Sequence, residues 1–578
     1  MNISKKQHYF FLAGILILSA ALRFTGLDSK PLWLDEIITT LFSLGHSFDR
    51  IPLDRIVSLA ELPDIFTFNP QATCQTIAET VARESTHPPV FFCWLNQWLS
   101  KMSETATLQE IVWYVRSLPA FFGVLAVAAI YLLGRVAFSP STGLVAAALM
   151  AVSPFAVYLS QEARHYTLPL LLITLALIAL IQIQQDFTQN KRVRPTIALS
   201  WFLVNTIGLY IHYFFILALA AQIGAILLWN LWQIQKNRKT EAVNIVSVIQ
   251  EFLADIWRFS FCLFPFILFL PWFPILLEHF TRPETAWFKP FEPSWLDNIV
   301  PIYQIIMGWV VMTIALPVEN QPLWIAIPCG LLMLAFTMAL SRTLWQNLPK
   351  LFRSKALGDS SVILGSFTLL ILGEFLFIVY ILGKDITSAI RYYFLYYPSI
   401  CVLLAASLTL KIDNKLENSS RSLISKKYST ILVGLLSSIL VISGLVFQKP
   451  YNPEAVTKHL NLEPEKPLMV MVGYDTFQEV ALGLGFAWEL YHQRNQNLSS
   501  TSWIFLDRTE GYQTIWPKLA TLQTPRNQFL NLWAIAPGLR QKEYPPNLSL
   551  SSSTCTLDPN QYYRLGIPYQ LYRCSANP

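Results

Sequence analysis

Two adjacent carboxylates, Asp35 and Glu36 in GLDSKPLWLDEIITT, are the first residues in this chain whose type and spacing could do chemistry. Adjacent acids project to different sides, so one can face a cavity while the other meets a cation, a backbone donor or solvent. A carboxylate in a cavity suits a general base, a role contributing on the order of 10² to 10⁴ in rate. Acids ahead of IITT would also stabilise a helix amino end by about 0.3–1 kcal/mol with no chemistry involved. Taken alone, the pair favours that structural role. Further along, His87 precedes a proline pair in STHPPVFFCWLNQWL, and Glu162, Arg164 and His165 follow one another closely in SPFAVYLSQEARHYTLPLL. Ionisable groups where two apolar helices meet mark function by default.

The elements that must position these groups are membrane spans. Of 578 residues, 42 are Lys or Arg and 36 are Asp or Glu, while 53% are hydrophobic; mean hydropathy is +0.42. Such composition excludes disorder, coiled coil and a small disulfide scaffold. Uncharged runs of about 20 residues indicate bilayer helices: residues 7–22, 117–134, 136–161, 166–185, two within 195–235, 259–277, one within 298–341, 360–383 interrupted only by Glu374, 392–410 and 428–448. This gives about eleven spans, with Arg23 snorkelling to the interface. The helix after His87 is too short to span and is expected to lie in the interface. Glu374, inside a span, should face a cavity or partner.

Basic residues set the orientation. With Lys5 and Lys6 inside, Arg135, then Lys191, Arg192 and Arg194, then Lys236, Arg238 and Lys239 also fall inside. Counting one span within 298–341 puts the loops of Arg342–Lys355 and Lys411–Lys427 inside too. The amino end is then cytoplasmic, and three segments lie outside: 24–116, 278–320 and the tail from Lys449. The expected organisation is a membrane module over 1–448, with 24–116 as its first outer loop, and an extracytoplasmic α/β domain over 449–578. PLMVMVGY and SWIFLD read as strands around a helical FQEVALGLGFAWELYHQR. Cys555 and Cys574 are expected to close a terminal hairpin in an oxidising compartment. Cys74 and Cys93 could pair too, although Cys93 lies on an apolar helix and no bond is assigned there. Cys262, Cys329 and Cys401 read as small hydrophobes within spans.

WLDE after the first span, HPP before a short amphipathic helix, RSLPA at Arg116 opening the second span, and SQEARHY after the third occur in this order and spacing. The set resembles the GT-C superfamily of polyprenyl-phosphate-sugar-dependent glycosyltransferases. It is most similar to the bacterial family 39-like group, related to protein mannosyltransferases, lipid A aminoarabinose transferases and Rgt-type galacturonosyltransferases. The likeness covers residues 1 to about 240 well, the later spans loosely and the tail hardly at all.

The resemblance implies an all-α polytopic GT-C fold plus the small C-terminal α/β domain, in a bacterial plasma membrane. It implies that Asp35 is the essential first-loop acid, with Glu36 the second member of the pair. Glu162, Arg164 and Tyr166 would line the same cavity, joined by His165. His87 matches a position where some relatives carry Lys near the donor phosphate. YIHYFF, with His212, and AIRYYFLYYP, with Arg391 and Tyr392, look like the later outer-edge motifs. Arg391 has a forked guanidinium suited to a phosphate.

The implied reaction moves a sugar from a polyprenyl phosphate to an acceptor hydroxyl of a glycolipid, polysaccharide or protein, with Asp35 as base and inversion at the anomeric carbon. No cofactor is assigned; Asp35, Glu36 and Glu162 offer oxygen ligands for a divalent cation. Nothing points to nucleic acid. The competing class, a transporter or lipid flippase, would call for ionisable pairs near midspan and repeat symmetry, whereas the charges gather at one edge.

Overall fold

The computed structural model of the chain describes residues 4–103, 105–189, 191–237, 264–282, 284, 295, 297–410, 417–522 and 529–576. Cys262 and four basic residues used above for orientation, Arg238, Lys239, Lys411 and Lys415, lie outside them. The chain forms two units: Met1–Thr25, Thr86–Phe91 and Arg116–Phe447 make one, and Gly26–Ser85, Phe92–Val115 and Gln448–Pro578 the other. Of the first outer loop, 24–116, the second unit holds Gly26–Ser85 and Phe92–Val115.

In the first unit the helices follow from uncharged, Leu- and Ile-rich runs that must satisfy every backbone group internally. Among the described residues eight helices are long and apolar enough to cross a membrane, or nine if Pro140–Ala151 and Pro154–Ser160 count as one span. Two more of the expected spans are short, Pro195–Leu209 and Tyr397–Thr409, at 15 and 13 residues. In their described residues the eleven expected segments are thus largely helical, but these two fall below the length a bilayer helix needs. The stretch 298–341 resolves into a short helix, Val300–Val311, and the start of a long one, Leu323–Arg353.

The pair Pro140–Ala151 and Pro154–Ser160 bends by 61°. Pro154 cannot donate to the helix before it, so carbonyls are orphaned at the break. Arg23 satisfies two, donating from Nη2 to Met150 O and from Nη1 to Ala151 O, each at 3.0 Å. Ser438 donates to Val152 O at 2.9 Å, and Gly434 lets its helix approach, since a Cβ there would stand 2.8 Å from Val152 O. Arg23 is therefore fully buried rather than at the interface; carbonyls at the break are the reason the charge is held inside. Replacing Arg23 with Leu is expected to destabilise the protein by about 1–3 kcal/mol, the cost of leaving buried acceptors unmet. Thermal unfolding of the detergent-solubilised variant checks this, and an unchanged midpoint would refute it.

The second unit is built on a seven-stranded sheet in the order β1-β3-β2-β4-β7-β6-β5. Its strands are β1 (Val57–Ser58), β2 (Leu468–Tyr474), β3 (Thr501–Asp507), β4 (Phe529–Ile535), β5 (Asn547–Leu550), β6 (Ser553–Leu565) and β7 (Ile567–Ala576). Strands β3, β2 and β4 are parallel and the rest antiparallel. All of β2 is buried, as expected for a parallel strand covered on both faces. β1 comes from the first loop and pairs Val57 with Trp503. Cys555 faces Cys574 across the β6–β7 hairpin and the two form a disulfide. A second disulfide joins Cys74 to Cys93, a bond the apolar setting of Cys93 argued against. Free cysteines among the described residues are Cys329 and Cys401.

Candidate functional site

Asp35 and Glu36 belong to the second unit, in the first turn of helix Leu34–Ser43. Its apolar face, with Ile37 and Leu41 fully buried, packs on helix Phe477–Gln493 of the tail. Gly485 permits this approach, since a Cβ there would sit 3.3 Å from Leu32 O. Glu36 is buried, and its Oε2 accepts the Trp33 N–H at 3.4 Å, so it caps its own helix. Asp35 is half-buried, and its backbone carbonyl accepts from the Thr39 hydroxyl at 2.8 Å. Both acids stand in the helix's first turn, Glu36 buried and Asp35 half-buried. The tail's helix fixes where Asp35 stands.

The first unit gathers the other eight expected residues. Helix Pro154–Ser160 ends in a tight turn carrying Glu162, Arg164, His165 and Tyr166 before helix Thr167–Thr188 begins. Gln161 ties this turn to the end of the first helix, donating to Leu22 O at 3.3 Å and Thr25 O at 2.9 Å. All four of those side chains are buried. The turn between Pro195–Leu209 and Phe215–Asn237 brings His212, and the 3₁₀ segment Ile390–Leu395 brings Arg391 and Tyr392. The HPP segment meets them through the Val90 N–H, which donates to Tyr210 O.

Three imidazoles lie side by side: His87 and His165 have ring centroids 4.9 Å apart, His165 and His212 4.8 Å. His212 also meets Tyr392 at 6.0 Å, and Tyr392 meets Tyr166 at 6.3 Å. Arg164 Nη2 donates to His87 Nε2 at 3.2 Å, so His87 carries its proton on Nδ1. Each arginine lies over a tyrosine ring, Arg164 on Tyr166 and Arg391 on Tyr392, both at 5.6 Å.

Burial, and then the charges of Arg164 and Arg391, hold His212 down at about 3. Burial first and neighbouring imidazoles and arginines after it keep His165 and His87 well below the ordinary histidine value. All three are uncharged at neutral pH, leaving the guanidiniums as the cluster's cations. Unfolded histidines titrate near 6.5, so the stability tied to these rings is present above that pH and lost as pH falls toward 3. The thermal midpoint is therefore expected to drop between pH 7 and pH 4, less steeply in His212→Leu; an equal slope in that variant would contradict the assignment.

His279, which no sequence motif marks, also lies near the cluster. Trp272 Nε1 donates to the Tyr213 hydroxyl at 3.0 Å, and that hydroxyl lies 2.8 Å from His279 Nδ1. Tyr213 stands beside His212 in YIHYFF, the one available signal. Glu374 is half-buried in helix Gly358–Tyr380, its Oε2 without a hydrogen-bond partner among the described residues. Among the described residues no group of three His, Cys, Asp or Glu side chains is placed to hold a metal ion. The two guanidiniums favour an anion, and their forked geometry fits phosphoryl oxygens.

Residues 86–253 match the family model described as dolichyl-phosphate-mannose-protein mannosyltransferase, a segment containing His87, the 162–166 turn and His212. No curated protein matches the chain by sequence. Among solved structures, the fold is similar to ArnT from Cupriavidus metallidurans bound to undecaprenyl phosphate. That match has 10% identity and a TM-score of 0.52, covering 98% of this chain and 97% of that one. The same protein in its apo state matches at 11% identity and a TM-score of 0.50, covering 99% and 98%. At these identities the likeness is one of fold.

Proposed function

We propose that this chain is an integral-membrane glycosyltransferase of the GT-C type using a polyprenyl-phosphate-linked sugar, a reading supported by the family-model match over 86–253 and the fold likeness to ArnT. The observation that carries the reading is the pairing of two arginines, each laid on a tyrosine, with uncharged histidines at the helix connections of a largely apolar bundle. A lipid phosphate needs both halves, an apolar body for its chain and guanidiniums for its charge.

In the proposed reaction Asp35 takes the proton from an acceptor hydroxyl, the oxygen attacks the anomeric carbon, and the lipid phosphate leaves with the bonding pair. A single displacement inverts that carbon. Arg164, Arg391 and His87 stabilise the growing charge on the leaving phosphate. We place the second unit, with its two disulfides, in an oxidising compartment outside the plasma membrane and the amino end inside. The acceptor is a glycolipid, polysaccharide or protein.

Membranes containing the full-length protein should transfer radiolabel from at least one of a panel of polyprenyl-phosphate sugars. Activity with nucleotide sugars and with none of the lipid donors would overturn the reading.

A further inference from the structure

We propose that His165 and His212 are the groups that read the hydroxyls of the transferred sugar, leaving the phosphate to the arginines; this rests on the glycosyl-transfer reading above. His212 Nδ1 accepts the Phe214 N–H at 3.0 Å, which puts the ring's one proton on Nε2. That Nε2–H is buried and has no acceptor among the described residues. His165 is fully buried, and neither of its ring nitrogens has a hydrogen-bond partner among the described residues. Two neighbouring rings therefore present three unmet positions: the His212 donor, and one donor and one acceptor on His165.

Leaving a buried polar atom unmet costs about 1–3 kcal/mol, and native folds avoid it except where something else supplies the partner. A fully ionised phosphate only accepts hydrogen bonds. It would satisfy both N–H groups and leave the acceptor nitrogen of His165 facing like charge. A hydroxyl donates and accepts, so sugar hydroxyls can meet all three positions. His87 does not share this role, because its Nε2 already takes the Arg164 hydrogen bond. The cluster divides accordingly: guanidiniums with His87 for the phosphate, His165 and His212 for the sugar.

The test measures affinity of the full-length protein in nanodiscs for undecaprenyl phosphate, and for the same lipid carrying mannose, glucose or galactose. Wild type is expected to bind one sugar-bearing lipid about tenfold or more tighter than the bare lipid, tenfold corresponding to one hydrogen bond of ordinary strength. His212→Leu and His165→Phe should lose that margin while holding bare undecaprenyl phosphate as wild type does. His212→Gln, whose amide N–H can stand where Nε2–H does, should recover part of it. Equal weakening toward both lipids, or no weakening toward either, overturns the proposal and leaves the transferase reading intact. Absence of any binding of lipid phosphate by wild type overturns both. Retained binding of the bare lipid by the Leu and Phe variants also shows that they fold.

Discussion

Asp35→Asn is expected to lower sugar transfer by about 10² to 10⁴, the contribution of a positioned general base. Asparagine matches aspartate in shape, so helix Leu34–Ser43, whose packing on Phe477–Gln493 uses Ile37 and Leu41, should be undisturbed. The loss should therefore fall on kcat, with the thermal midpoint within a degree or two of wild type. Glu36→Gln supplies the contrast. Its carboxylate accepts the Trp33 N–H, a bond the amide oxygen of Gln can keep, so activity should fall far less. Parallel assays of the two variants in the same membranes decide the matter. Equal losses in both, or full transfer by Asp35→Asn, would remove Asp35 from the role of base.

Arg391→Leu is expected to reduce kcat/KM by about 10² to 10³, as when one preorganised donor to a developing anion is lost. Arg391 is half-buried on a short 3₁₀ segment, with its guanidinium over Tyr392, and that ring also lines the histidine cluster. Arg391→Lys should recover only part of the activity, because an ammonium keeps the charge and loses the planar fork. The same substitution at Arg164 is less clean: that side chain is buried and hydrogen-bonded to His87, so its removal also disturbs the turn. Steady-state kinetics over a range of donor concentrations checks both. Unchanged kcat/KM in Arg391→Leu would show that the phosphate is held elsewhere.

Much of this arrangement is legible in the sequence because charge is scarce. Glu162, Arg164 and His165 stand out between two apolar runs, and the bundle has no cheap alternative to placing them at a helix connection. The strands β2 and β3 and the helix between them also follow from pattern, since continuous apolar runs and a 3.6-residue period separate cleanly there.

What was not legible depends on tertiary partners. Nothing local says that Val57–Ser58 would extend a sheet whose other strands lie more than 400 residues away. Nor does anything local say that Gly26–Ser85 and Phe92–Val115 would fold in one unit with the tail. Arg23 looked interfacial because a charge next to a span usually is; only the broken helix beside it explains its burial. His279 sits at the end of an apolar helix with no motif around it, and its hydrogen bond with Tyr213 forms only in the fold.

The most direct test follows the lipid rather than the sugar. In membranes supplied with a doubly labelled polyprenyl-phosphate sugar, the account expects bare polyprenyl phosphate to appear in step with sugar transferred, equimolar at every time point, and to be lost in Asp35→Asn. That ratio requires cleavage between the anomeric carbon and the phosphate oxygen. Release of polyprenol with the phosphate carried over to the acceptor, or transfer with no polyprenyl phosphate formed, would contradict it.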